Sequence, residues 1–192
     1  MAAAAVSGRA TRWTAQLQAL TSRWATQAQA AYTHAQWRRE VRRDAYARVL
    51  EAGHAALEAC DRYGSKYLLQ AAGVEPEVGA REPIEVAERR LMLALEAVRL
   101  EGPRVMEEEA SAIRSAFHGW HVDLMVGSKQ AHEPPDGQEV SAEERRARWN
   151  AARDQFSEAR KEYSAALNSF LRQGARALDS LTDDEENNVG PG

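Results

Sequence analysis

Apolar positions along the chain recur at steps of three and four, the period of one face of an α-helix. Trp13, Leu17, Leu20, Trp24, Ala28 and Ala31 make a narrow first seam. The pattern resumes at Val41, Ala45, Val49, Ala52 or Gly53, Ala56, Cys60 and Tyr63, and Tyr46, Leu50 and Leu57 widen it. No proline interrupts residues 8–72, so the spacing predicts one helix of roughly 95 Å, with a break near Thr33 or near Gly64 left open. Gly53 and Gly64 each cost such a helix about 1 kcal/mol against alanine.

Gly73, Pro76 and Gly79 mark a loop over Gly73–Glu82, and Pro83 suits the first turn of a second helix. That helix carries the stripe Ile84, Ala87, Leu91, Leu95 and Val98 up to Leu100. Met92, Leu93 and Leu100 add apolar character on its other sides, which predicts a central position. Gly102 and Pro103 end it and open a third helix, whose seam is Met106, Ala110, Ile113, Phe117, Trp120 and Leu124. Gly127 is expected to stop that helix at Val126, followed by a polar loop over Ser128–Val140. Ser141, three residues before Glu144, reads as a capping box. It opens a fourth helix with Trp149, Ala152, Phe156, Ala159, Tyr163, Ala166 and Phe170 on one face and Ala177 and Leu181 extending it. Asp183–Glu186 and the six residues after them are expected to form a disordered acidic tail.

The fold this predicts is all-α: an elongated antiparallel helical bundle of four helices, the first and last long, with coiled-coil-like seams. Residues 1–36 are expected as an N-terminal helical extension, 37–181 as the bundle core and 182–192 as the tail. The first half of helix one finds its cover either in the fourth helix or in another chain.

Composition narrows this picture. There are 37 alanines, while isoleucine occurs only at Ile84 and Ile113 and phenylalanine three times. Such a chain lacks the β-branched and aromatic residues of a sandwich or barrel. Small residues such as Ala152, Ala159 and Ala166 alternate with large ones, which lets helices approach closely. Charged residues at 28% and a mean hydropathy of -0.59 exclude an integral membrane protein. Cys60 is the one cysteine, so neither an intramolecular disulfide nor a cysteine-based zinc site can form. Ala56, Leu57 and Tyr63 around it predict a small buried hydrophobe. The alanine run of Met1–Val6 is too short for a secretory signal, and the expected location is the cytoplasm.

The net charge of -4 is unevenly spread. Residues 1–50 hold eight arginines against Glu40 and Asp44, net +6, which leaves -10 for the remainder.

The run from Trp37 through Arg38, Arg39, Arg42, Arg43, Asp44, Ala45, Tyr46 and Ala47 to Leu50, with the later segment Val98-Arg-Leu-Glu-Gly-Pro-Arg-Val105, resembles a pair of segments in uncharacterised all-helical actinobacterial proteins. Those proteins combine an Arg-Arg-x-Ala-Tyr-Ala helix with a Val-x-Leu-x-Gly-Pro-x-x-Val segment. The resemblance covers about an eighth of the chain and implies a helical bundle and no activity. Many such proteins place a membrane anchor before the arginine run, whereas Gln16, Gln18, Arg23, Gln27 and Gln29 stand there in this chain.

Candidate chemistry is sparse. Glu51 and His54 have the E-x-x-H spacing of di-iron bundles, which need a second such motif and further carboxylates; no second one occurs, and His118 with His121 gives only an i, i+3 pair. Glu107, Glu108 and Glu109 open a helix, where its dipole favours acids. No nucleophile elbow, phosphate loop or Cys–His pair is present. The sequence therefore predicts no catalytic residue, metal, cofactor or small-molecule substrate. Arg38, Arg39, Arg42, Arg43 and Arg48, a basic face over Arg38–Arg48, suit phosphate contacts, although Glu40, Asp44 and neighbouring helices offset them and a pI near 5.8 disfavours nucleic acid. The Trp13, Leu17, Leu20 and Trp24 seam suits a partner helix, a homo-oligomer or a membrane surface, against internal packing on the fourth helix. The leading expectation is a non-enzymatic interaction or scaffold protein that uses this seam.

Overall fold

The computed structural model describes residues 2–66, 79–132 and 141–188, with side chains at 13–66, 79–127 and 141–180. Four helices follow in order: α1, Ala2–Gly64; α2, Glu82–Glu101; α3, Arg104–His132; and α4, Ala142–Asn188. The fold is an all-α helical bundle. Of the two break points left open in the first helix, only Gly64 coincides with an end. Most of the expected loop over Gly73–Glu82 lies outside the described residues, as do 133–140 and 189–192.

The helix starts follow local chemistry. Gly79 takes φ +84°, its carbonyl accepts from the Glu82 N–H at 3.0 Å, and Pro83 sits in the first turn of α2. Gly102 ends α2 in an extended conformation, its N–H donating to the Val98 carbonyl at 2.7 Å. The capping box at α4 is reciprocal: the Glu144 N–H donates to Ser141 Oγ at 3.2 Å, and the Ser141 N–H donates to Glu144 Oε2 at 3.1 Å. The Ser141 N–H, and the Ser141 hydroxyl that donates to the same oxygen at 3.1 Å, hold the Glu144 carboxyl below its ordinary range.

Two helix ends differ from expectation. Gly127 does not stop α3, which runs on to His132. A Cβ added to Gly127 would stand 3.3 Å from Ala152 Cβ, so this glycine lies directly against α4. The fourth helix likewise continues through Asp183–Glu186 to Asn188, where a disordered tail was expected from 182.

The chain divides into two units, Met1–Val41 and Arg42–Gly192, a boundary five residues beyond the expected one. In the second unit, the core takes the faces that the periodicity marks. All six seam residues of α3, from Met106 to Leu124, are buried, as are Ile84, Ala87, Leu91, Leu95 and Val98 of α2. The arginine-bearing helix contributes Ala45, Tyr46, Val49, Ala56, Cys60 and Tyr63; α4 contributes Ala152, Phe156, Ala159, Tyr163, Leu167 and Phe170. Leu167 thus takes the buried place expected of Ala166, which is half-buried.

Side-chain pairings fix the helices of this unit as antiparallel neighbours. Between α2 and α3, Arg99 meets Glu107 at 3.5 Å, Arg114 meets Glu96, and His121 meets Glu88 at 3.3 Å. Between α3 and α4, Phe117 packs on Tyr163 and Trp120 on Phe156, and Gln155 donates to Asp123 at 2.8 Å. Between α1 and α4, Tyr46 stands edge-on to Phe170, the Tyr163 hydroxyl donates to the Gly53 carbonyl at 3.0 Å, and Arg160 grips Asp61 at 2.7 and 2.8 Å. Exposed ion pairs contribute little energy, but this order of partners records the register.

The expected central position of α2 is not observed. One stripe of it is buried, while Val86, Leu93 and Leu100 are exposed. A helix of a four-helix bundle turns one side away from its neighbours, and apolar residues on that side stay at the surface.

Candidate interaction surface

The first unit displays the seam that the sequence marks. Trp13 is 66% exposed, Leu17 and Leu20 51% each, and Trp24 72%. Around them the polar side chains turn back on their own helix. Thr21, Thr26 and Thr33 hydroxyls donate to the carbonyls four residues earlier at 2.8–2.9 Å. This pattern leaves the apolar stripe as the distinctive feature of the face.

Trp37 is also exposed, with His34 beside it at 5.7 Å between ring centroids. On a helix of 3.6 residues per turn it lies roughly 120° from the Trp13–Trp24 seam, above a shallow groove lined by Ala30, Thr33 and His34. The unit therefore has two aromatic faces. Tyr32, whose hydroxyl accepts from Gln36 Nε2 at 2.7 Å, is a further exposed aromatic and belongs to neither stripe, so the seam periodicity does not mark it.

The four arginines do not behave alike. Arg38 and Arg39 belong to the first unit, Arg38 exposed and Arg39 half-buried. In the second unit Arg43 lies 3.9 Å from Asp44. Arg42 is half-buried, and its Nε–H donates to the Glu101 carbonyl at 2.8 Å. A guanidinium on the last carbonyls of a helix satisfies an acceptor that the helix leaves over and matches its dipole. Arg42 is thus a structural cap on α2. It links the two segments, 37–50 and 98–105, that the resemblance singles out. Arg42→Ala is expected to lower stability by ~1 kcal/mol, while Arg38→Ala leaves the urea midpoint unchanged; equal effects would overturn the cap.

The second unit has its own exposed row. Val86, Leu93 and Leu100 stand seven residues apart on α2; Leu93 and Leu100 are two of the residues from which the sequence predicts a central helix.

Cys60 is fully buried, and desolvation, with Asp61 and Glu88 nearby, pushes its thiol up to about 12. Burial also raises the Tyr163 hydroxyl, with Cys60 beside it adding to the effect. His54 is exposed, with Nδ1 2.8 Å from the Leu50 carbonyl. Among the described residues, no group of three or more His, Cys, Asp or Glu side chains stands in position to hold a metal ion, and no helix is long and apolar enough to cross a membrane. The chain matches no protein-family model, and no match to it was found among curated proteins or solved structures.

Proposed function

We propose that the protein is a non-enzymatic helical interaction or scaffold protein whose N-terminal helix is its contact surface, for a second copy or for a partner helix. The observation that carries this reading is the exposure of Trp13, Leu17, Leu20 and Trp24 on one stripe. Large apolar side chains grouped on a surface mark interaction sites, whereas single ones need no explanation. Tryptophan in particular is enriched among the anchors of protein interfaces.

Sedimentation velocity of the wild type and of a Trp13→Ala/Leu17→Ala/Trp24→Ala variant tests the self-associating form. The wild type is expected as an assembly and the variant as a monomer. The variant's thermal unfolding is expected to match the wild type, because none of the three residues belongs to the core of the second unit. Monomers in both cases would overturn self-association.

A second reading, nucleic-acid binding through Arg38, Arg39, Arg42 and Arg43, is favoured by the charge of Met1–Val41, five arginines against Glu40. It is weakened by the capping role of Arg42. Failure of DNA and RNA to bind at about 50 mM salt, where phosphate contacts are strongest, would remove it.

A further inference from the structure

The stripe on the N-terminal helix has an internal symmetry. Its large residues read Trp13, Leu17, Leu20, Trp24, at steps of four, three and four. The order of residue types and the order of steps are each the same read in either direction. Run back toward the start of the helix, the same alternation passes through Ala10, Val6 and Ala3. Run forward, it meets Gln27 and then only alanine at Ala28 and Ala31, so the bulky part of the stripe is these four residues.

Resting on the interaction reading above, we propose that the stripe pairs with the same stripe of a second copy, the two helices antiparallel. Trp13 then lies against Trp24 of the second copy, and Leu17 against Leu20. A two-fold interface uses one patch twice and must be complementary to itself. A palindromic stripe meets that condition when one copy is reversed, and each layer then joins one position of the heptad to the other, as in antiparallel helix pairs.

Charge separates the two possible directions. Carried on by sevens from Leu17 and Trp24, the stripe reaches Ala31 and then Arg38. A parallel copy would stack Arg38 on its own counterpart within the seam, beside Arg39, with Glu40 the one carboxylate in the unit. The antiparallel register keeps like charges apart. Arg23 flanks Gln16 of the second copy, Arg9 flanks Ala30, and Thr14 meets Thr21.

Size is sufficient. Burying a tryptophan removes about 150–250 Å² from water, and these two are 66% and 72% exposed. With two half-exposed leucines, the stripes of both copies together bury on the order of 1,000 Å², the lower bound of a specific interface. Basic residues also suit an anionic membrane surface, but a bilayer places no premium on a stripe that matches its own reverse.

Disulfide trapping with sedimentation equilibrium tests the proposal on the full-length chain. In the antiparallel register position 10 faces position 27 of the second copy; in a parallel pair 27 faces 27. Under mild oxidation, a mixture of Ala10→Cys and Gln27→Cys chains is expected to give the mixed dimer, and Gln27→Cys alone none. Cys60 is fully buried and stays out of the exchange. The triple alanine variant is expected to weaken dimerisation by roughly 100-fold or more. Self-cross-linking of Gln27→Cys would overturn the antiparallel pairing and leave the interaction reading standing. A wild-type dimer that the triple variant does not weaken would overturn both. A wild type that is monomeric at about 100 µM, whether or not it binds anionic vesicles, would overturn the second copy as occupant.

Discussion

Replacing Trp120 by alanine is expected to lower the free energy of unfolding by ~3–5 kcal/mol, the usual cost of emptying a buried aromatic site. Trp120 is fully buried. Its ring stacks on Tyr163 at 5.4 Å and tilts against Phe156 at 5.7 Å, so one side chain of α3 supports two of α4. Both neighbours are themselves fixed from other sides. Tyr163 is bonded to the Gly53 carbonyl and packs on Phe117, and the cavity therefore cannot close by local collapse. The indole N–H of Trp120 is buried and has no acceptor among the described residues. Trp120→Phe thus gives up volume but no hydrogen bond to a described residue, and it removes a buried donor. It is expected to cost no more than about half as much as the alanine variant. Chemical denaturation followed by circular dichroism measures both. A loss below ~1.5 kcal/mol for Trp120→Ala would mean that the α3–α4 core is not packed as described.

The parts of this fold that were legible in the sequence are those set by residues close together along the chain. Met106 through Leu124 repeat at four and three, and that period alone assigns a buried face. Ser141 and Glu144 are three apart, and their capping box follows from spacing. What the sequence withheld depends on residues far away in the chain. Gly127 has the local appearance of a helix end; its role is decided by Ala152, on another helix. Arg42 looks like one more member of a basic run; its acceptor is a main-chain carbonyl 59 residues later. Leu93 and Leu100 look like core because they are apolar, and which side of α2 stays uncovered is a property of the assembled layer. The candidate surface divides in the same way. The Trp13–Trp24 stripe is a local pattern and was readable, and its exposure is what the structure adds. The palindrome in that stripe, with its charge and its area, bears on what covers it.

The interior glycines offer a test in which two chemically identical substitutions are expected to differ in sign. Gly119→Ala should stabilise the protein by up to ~1 kcal/mol, the difference in helix propensity, because an added Cβ there meets nothing within 4 Å. Gly64→Ala, at the last residue of α1, gains less from propensity and is expected to destabilise by ~1–3 kcal/mol net, the range for overpacking a filled core. A Cβ on Gly64 would stand 2.5 Å from Phe156 Cζ and 2.9 and 3.0 Å from its Cε atoms. The ring has little room to retreat, since Trp120 lies 5.7 Å behind it between centroids. Gly53 is the intermediate case: its added Cβ would meet Leu167 Cδ2 at 2.5 Å, the end of a flexible side chain that can change rotamer. The order Gly119, Gly53, Gly64 in urea midpoints therefore follows how far each neighbour can yield. A double-mutant cycle completes the argument. In a Phe156→Leu background, where the ring is gone, Gly64→Ala should recover at least ~1 kcal/mol of its cost, a coupling typical of residues in direct contact. Additive effects would show that Gly64 and Phe156 do not touch, and the α1–α4 register drawn from Tyr46, Gly53 and Asp61 would then not extend to Gly64.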